Sequence, residues 1–244
     1  MKVFWFLFVF VIAQLSATGS VNDNLFPVKN PIFVSLGNKC WTAQALQLYQ
    51  LRECAFPFDW LFTLDDDGLN RALDEDFECF TDKDYFSPHD YHPVAVENTH
   101  YGMIFTHDWP FSDLELTEER YHQHLEAIKI KYQRRIERFR KLRDYKGKVF
   151  FFRTFSTHCD IVGDYGWNAE KVKKLKASLD RYFPHLDFTL IILSCSEPDI
   201  SEVGEVEGVR EFKIRELYVQ ENYLNMFTEL LSGERYDLEI QKTK

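Results

Sequence analysis

The chain of 244 residues contains no Asn-x-Ser/Thr sequon, no C-x-x-C pair, no low-complexity tract and no repeat at a fixed period. These absences remove ordinary N-glycosylation, the commonest zinc and dithiol frames, and solenoid or disordered architectures. Cysteine is scarce: Cys40, Cys54, Cys79, Cys159 and Cys195. An odd number leaves at least one thiol unpaired even where disulfides form. Positive charge is also the minority, with 29 Lys and Arg against 39 Asp and Glu and a net charge of −10. That balance disfavours a non-specific nucleic-acid binder, and no nucleic-acid partner is expected.

Phenylalanine is abundant at 23 residues, enough to fill the core of one domain of ordinary size. A single long apolar run opens the chain: Met1-Lys2, then Val3 to Leu15, then small residues to Ser20. This is the charged, apolar, small-residue order of a secretory signal peptide, with Ala17-x-Gly19 as a cleavage site, so residues 1–19 read as a signal peptide. Thirteen residues, all apolar but Gln14, at about 1.5 Å each fall short of a hydrocarbon core of about 30 Å. A secreted or exported protein with no stable membrane span after cleavage is expected; an uncleaved anchor is the alternative.

Beyond that segment, apolar strands alternate with amphipathic helices. Pro31 to Leu36 reads as a buried strand ended by Gly37-Asn38, and a helix begins near Cys40, with Ala43, Leu46, Leu48 and Leu51 near helical spacing. Glu53 to Asp90 is acidic, holding twelve carboxylates against Arg71 and Lys83. Tyr101 to Phe105 reads as a strand. From Thr117 to Arg143, Tyr121, Leu125, Ile128, Tyr132, Ile136, Phe139 and Leu142 recur every three or four residues, the apolar stripe of a long helix. Lys148–Phe152, Phe188–Leu193 and Val209–Ile214 read as further strands, with a helix from Gly166 or Asn168 to Tyr182. The alternation predicts an α/β single domain over 31–215, a mainly parallel sheet with helices on both faces, and a C-terminal tail over 216–244.

In parallel sheets, sites gather where strands end. Cys40 lies there, at a helix start and beside Lys39; helix amides and a cation both favour thiolate. Ser35-Leu36-Gly37-Asn38-Lys39-Cys40 and Leu51-Arg52-Glu53-Cys54-Ala55-Phe56-Pro57-Phe58-Asp59-Trp60, with Tyr101-Gly102-Met103-Ile104-Phe105-Thr106-His107-Asp108 and Arg134-Arg135-Ile136-Glu137-Arg138-Phe139, resemble a family of uncharacterised proteins described as papain-like cysteine peptidases. The resemblance covers roughly residues 32 to 195. It implies Cys40 as nucleophile and His107 as general base; a third group should fix the ring's tautomer, and Asp59, a carboxylate set among aromatics, or else Asp108 beside His107, is the candidate. It implies a peptide or other acyl substrate.

Papains carry C-G-[SA]-C-[WY] around the nucleophile, with His and Asn about 130–150 residues downstream; here only Cys40-Trp41 matches that run. His158 and Asn168 are therefore a competing base and orienter. Between Thr117 and Lys148 eleven Lys/Arg outnumber five Asp/Glu. That surplus reads as a solvated face or a brace against the acidic stretch. It also leaves open an anion-binding site at Arg134, Arg135 and Arg138, with Arg153 at a strand end. His89, His92 and His100 have no metal-ligand spacing, so neither metal nor cofactor is expected. Two functions follow: a thiol acyl hydrolase or transferase, and a non-catalytic module binding an anionic glycan, phosphate or nucleotide-sugar.

Overall fold

The computed structural model describes residues 31–63, 66–88, 95–108, 118–155, 168–194, 206–214 and 219–233. The signal-peptide segment, His89, His92, His158, Cys159 and Cys195 lie outside the described residues. In chain order the elements are β1 (Ile32–Ser35), α1 (Trp41–Leu48), β2 (Phe62–Thr63), α2 (Asp66–Asp74), β3 (Phe86–Pro88), β4 (Val96–Asn98), β5 (Met103–Phe105), α3 (Glu118–Lys141), β6 (Lys148–Phe155), α4 (Ala169–Tyr182), β7 (Asp187–Ser194), β8 (Val209–Lys213) and α5 (Leu224–Gly233).

Four of these strands form a parallel sheet in the order β1-β6-β7-β8. Their near-continuous apolar runs are what a sheet covered on both sides requires. Alternate residues point to opposite faces. Ile32, Val34, Val149, Phe151, Leu190 and Ile192 meet the stripe of α3 and the Val172, Leu175 and Leu179 face of α4. Phe33, Phe150, Phe152, Ile191 and Leu193 meet Ala45 and Leu46 of α1 and Met226, Phe227, Leu230 and Leu231 of α5. The protein is thus a mixed α/β single domain with helices on both faces of its parallel sheet. Residues 219–233, set apart above as part of a tail, close one of the two cores.

The expectation of one mainly parallel sheet misses a second sheet. β2-β5-β4-β3 is antiparallel, with Phe62 opposite Ile104 and Val96 opposite Phe105. Its strands of two or three residues are too short to register as a two-residue alternation. The acidic stretch folds as part of this sheet and as α2, whose Leu69, Ala72 and Leu73 are buried. Its charges are countered from two helices. Arg181 of α4 donates to Asp74 at 2.8 Å, and Arg140 and Arg143 reach Asp76. The brace expected of the basic helix is therefore present at its C-terminal end. Among the described residues, no helix is long and apolar enough to cross a membrane.

Candidate active site

The chain leaves β1 through two consecutive left-handed residues, Gly37 (φ 76°) and Asn38 (φ 73°). Gly37 packs so tightly on the Phe58–Leu61 backbone that a Cβ there would stand 2.7 Å from the Phe58 carbonyl oxygen. The turn is fastened from β6. Arg153, 1% exposed, donates to the Leu36 carbonyl at 2.9 Å and to Thr63 Oγ1 at 2.7 Å. Asn38 Nδ2 donates to the Thr154 carbonyl at 3.0 Å, and the Thr42 and Thr154 hydroxyls share a 2.8 Å hydrogen bond. Arg153 is therefore a strut between the end of β1 and β2 of the second sheet, buried away from any surface ligand.

Cys40 is the N-cap residue of α1, at the carboxyl end of β1 and on the helix start, as its sequence position implied. Its thiol is half-buried. Burial pushes it above the ordinary thiol range, against a smaller downward pull from its own backbone and from Lys39. The Lys39 ammonium lies 4.1 Å from the centroid of the Trp41 ring, which holds the cation beside the helix start. At neutral pH the sulfur is therefore a protonated thiol that needs a base.

His107 follows β5 and is partly exposed, its ring edge-on to Trp60 at 5.5 Å between centroids. Burial lowers its pKa below the ordinary imidazole value; Lys131 adds to that and Asp108 opposes it. A neutral imidazole at neutral pH is the form a general base requires. Trp60 belongs to the same Phe58–Leu61 backbone that receives Gly37, so the Cys40 turn and His107 flank one short segment. Among the described residues, no hydrogen bond joins the Cys40 thiol to an imidazole.

The two acids expected to orient His107 are engaged elsewhere. Asp59, 2% exposed, accepts from Arg52 Nη2 at 2.6 Å, from Arg52 Nε at 3.1 Å and from the Phe56 amide at 3.0 Å. Burial raises its pKa, while Arg52, the Phe56 amide and Arg135 pull it down. Asp108 accepts from the Lys131 ammonium and from the Tyr132 hydroxyl at 2.6 Å, both on α3. It reaches His107 through its charge. Asn168, the alternative orienter, caps α4 by accepting from the Lys171 amide at 3.0 Å; its proposed partner His158 is outside the described residues.

The arginines also separate. Arg134 is exposed, while Arg135 is buried with its guanidinium 4.8 Å from the Tyr132 ring centroid. Arg138 donates to the Ala55 carbonyl at 3.3 Å. Among the described residues, Arg135 Nε and Nη1 have no hydrogen-bond partner. Trp60, Lys131, Tyr132 and Thr154 were not singled out from sequence. The α3 pair could have been found from helical phase, since Lys131 and Tyr132 lie four and three residues before Arg135.

A family model for putative papain-like cysteine peptidases matches residues 31–198. The chain belongs to that family. No curated protein and no solved structure matches it. The matched span runs from the start of β1 to just beyond β7, so the region shared with the family contains Cys40, Asp59, His107 and Arg153 and stops short of α5.

Proposed function

We propose that the protein is an exported thiol hydrolase of the papain-like kind, with Cys40 as nucleophile and His107 as base. The observation that carries the reading is the seating of Cys40: half-buried, at the N-cap of α1, on a left-handed turn held rigid by Arg153 and Thr154. A nucleophile needs a fixed backbone and nearby amide donors for the developing oxyanion, and a helix start supplies both. His107 takes the thiol proton as Cys40 Sγ bonds to the carbonyl carbon of an amide or ester. The carbon–leaving-group bond then breaks, and the imidazolium returns that proton to the leaving group. Water, deprotonated by the same imidazole, hydrolyses the thioester and frees the acid and the thiol. Asp108 favours the imidazolium through its charge. The aromatic edge of Trp60 limits where the His107 ring can sit.

The test is adduct mapping with an acyl-carrying electrophilic peptide probe. Modification confined to Cys40, abolished in His107→Ala, supports the reading. Modification spread over Cys54 and Cys79 at equal rates contradicts it.

The unpartnered nitrogens of buried Arg135, beside Asp59 and Arg52, favour a second reading: a non-catalytic module that binds an anionic ligand. Inorganic phosphate or sulfate then raises the melting temperature, and Arg135→Met removes the shift. No shift at millimolar anion counts against it.

A further inference from the structure

A donor set lies outside the Cys40 neighbourhood. One ligand atom each from Glu75, Cys79 and His100 fall within 4.8 Å of one another, all three residues half-buried. Spacing along the chain gives no hint of this. Glu75 and Cys79 are four apart, but the helix ends before them; Asp76 (φ 48°) and Phe77 (φ 64°) are both left-handed. These two residues reverse the chain after α2. His100 is brought over by the turn between β4 and β5.

Both turns are clamped together by one buried amide. Asn98 Nδ2 donates to the Cys79 carbonyl at 2.8 Å, and Asn98 Oδ1 accepts from the Tyr101 amide at 3.0 Å. Arg71 Nε donates to the His100 carbonyl at 3.0 Å. The side chains are ordered too. His100 Nε2 donates to Glu75 Oε2 at 2.7 Å, and the Tyr101 hydroxyl donates to the same oxygen at 3.0 Å. The Tyr85 ring packs 4.9 Å from the His100 ring, and its hydroxyl lies beside the Cys79 thiol.

We propose that Glu75, Cys79 and His100 form a three-ligand site for a zinc-type divalent cation. Thiolate, imidazole and carboxylate together suit a borderline-soft ion with tetrahedral preference and disfavour calcium or magnesium, which take oxygen ligands. With metal–sulfur distances of about 2.3 Å and metal–nitrogen or –oxygen distances of about 2.0–2.2 Å, ligand atoms around a tetrahedral ion stand about 3.3–3.6 Å apart. Reaching those separations opens the Glu75–His100 pair, now 2.7 Å apart, by about half an ångström, and any pair near the 4.8 Å limit closes by about an ångström. On binding, the Cys79 thiol releases its proton to solvent and His100 moves its proton to Nδ1, freeing Nε2 for the metal. The Tyr101 hydroxyl stays on Glu75 as the group that orients a ligand. Three protein ligands leave the fourth position to water.

The test uses the full chain, reduced and stripped with chelator, then titrated with Co²⁺ and, separately, with Zn²⁺ against a chromophoric chelator. The expected result is one ion per chain with a thiolate-to-cobalt charge-transfer band. The affinity drops at least about tenfold in each of Cys79→Ser, His100→Ala and Glu75→Gln, and is unchanged in Cys40→Ser and Cys54→Ser. Circular dichroism of the metal-free variants separates lost ligation from lost fold, and the conservative Cys79→Ser and Glu75→Gln keep the hydrogen-bonding shape of the site. Absence of the band, or a band that survives Cys79→Ser, overturns the proposal.

Discussion

Cys40 and His107 each carry an electrostatic bias with a measurable pH signature. The thiol sits above its usual range through burial and the imidazole below its usual value of about 6.5. Thiolate formed directly by solution base is then scarce at neutral pH, while neutral imidazole is plentiful. The rate of Cys40 alkylation assisted by His107 should be flat near pH 7 and fall only as the pH drops below the ordinary imidazole value. In His107→Ala the same rate should climb steadily through pH 9 like that of a buried thiol. A Cys40→Ser variant should lose about a thousandfold or more of any hydrolytic activity while its denaturation midpoint stays within the range of a surface substitution. Cys54 is the internal control: burial pushes it up to about 11, opposed by Arg138, so it should label slowest of the described thiols at pH 7. Gly37 is a separate residue-scale case. Adding a Cβ at φ 76°, 2.7 Å from a carbonyl oxygen, should cost about 2–4 kcal/mol in Gly37→Ala by urea denaturation; a cost under about 0.5 kcal/mol would mean that the turn is not as close-packed as described.

Between elements, two struts are open to test. Arg153 joins β1 to β2 through Leu36 and Thr63, and Arg153→Met should cost about 2–4 kcal/mol, from lost charge-assisted bonds and the polar groups stranded behind them. It should also slow Cys40 labelling, because the turn that carries the thiol loses its anchor. Asp76 joins α2 to the ends of α3 and α4. Burial alone would raise its pKa, but the Tyr182 hydroxyl at 2.5 Å with Arg140 and Arg143 outweighs this and lowers it. A carboxylate lowered in the folded state contributes stability above its unfolded value of about 3.9 and loses it as the pH falls through the folded value. The advantage of the parent protein over Asp76→Asn should therefore hold from pH 7 to about 5 and vanish towards pH 3 and below. Asp76 is 45% exposed, so screening holds the difference to about 0.5–1 kcal/mol. Asn168→Ala should lose about 0.5–2 kcal/mol of cap energy and Asn168→Asp should restore it, without either changing Cys40 reactivity. A fall in reactivity for both would revive Asn168 as an orienter.

At the scale of the molecule, what could be read from sequence was what repeats over a long enough stretch. β1, β6 and β7 each carry an apolar run, Ile32–Val34, Val149–Phe152 and Leu190–Leu193, and α3 shows its stripe across about six turns; both signals come from burial and survive without tertiary context. Strands such as Phe62–Thr63 carry no such signal, so of the second sheet only β5 was read, within Tyr101 to Phe105. Tyr223 and the α5 side chains Met226, Phe227, Leu230 and Leu231 lie at helical spacing, and the segment read as a weak helix, but its polar end set it apart as a tail rather than as part of the core. At the site, Cys40 was legible because strand, glycine and helix are adjacent in sequence. The partner of Asp59 was not, because Arg52 reaches it across a turn seven residues away. The Glu75–Cys79–His100 cluster depends on two left-handed residues and a hairpin, which no spacing rule encodes.

One measurement bears on the central claim more directly than the others: the second-order rate of iodoacetamide labelling at each cysteine, resolved by mass spectrometry, in the parent protein and in His107→Ala at pH 7. The account predicts that Cys40 labels at least about tenfold faster than Cys54 and that His107→Ala removes this lead. Equal rates at the two thiols, or a Cys40 rate indifferent to His107, would contradict it.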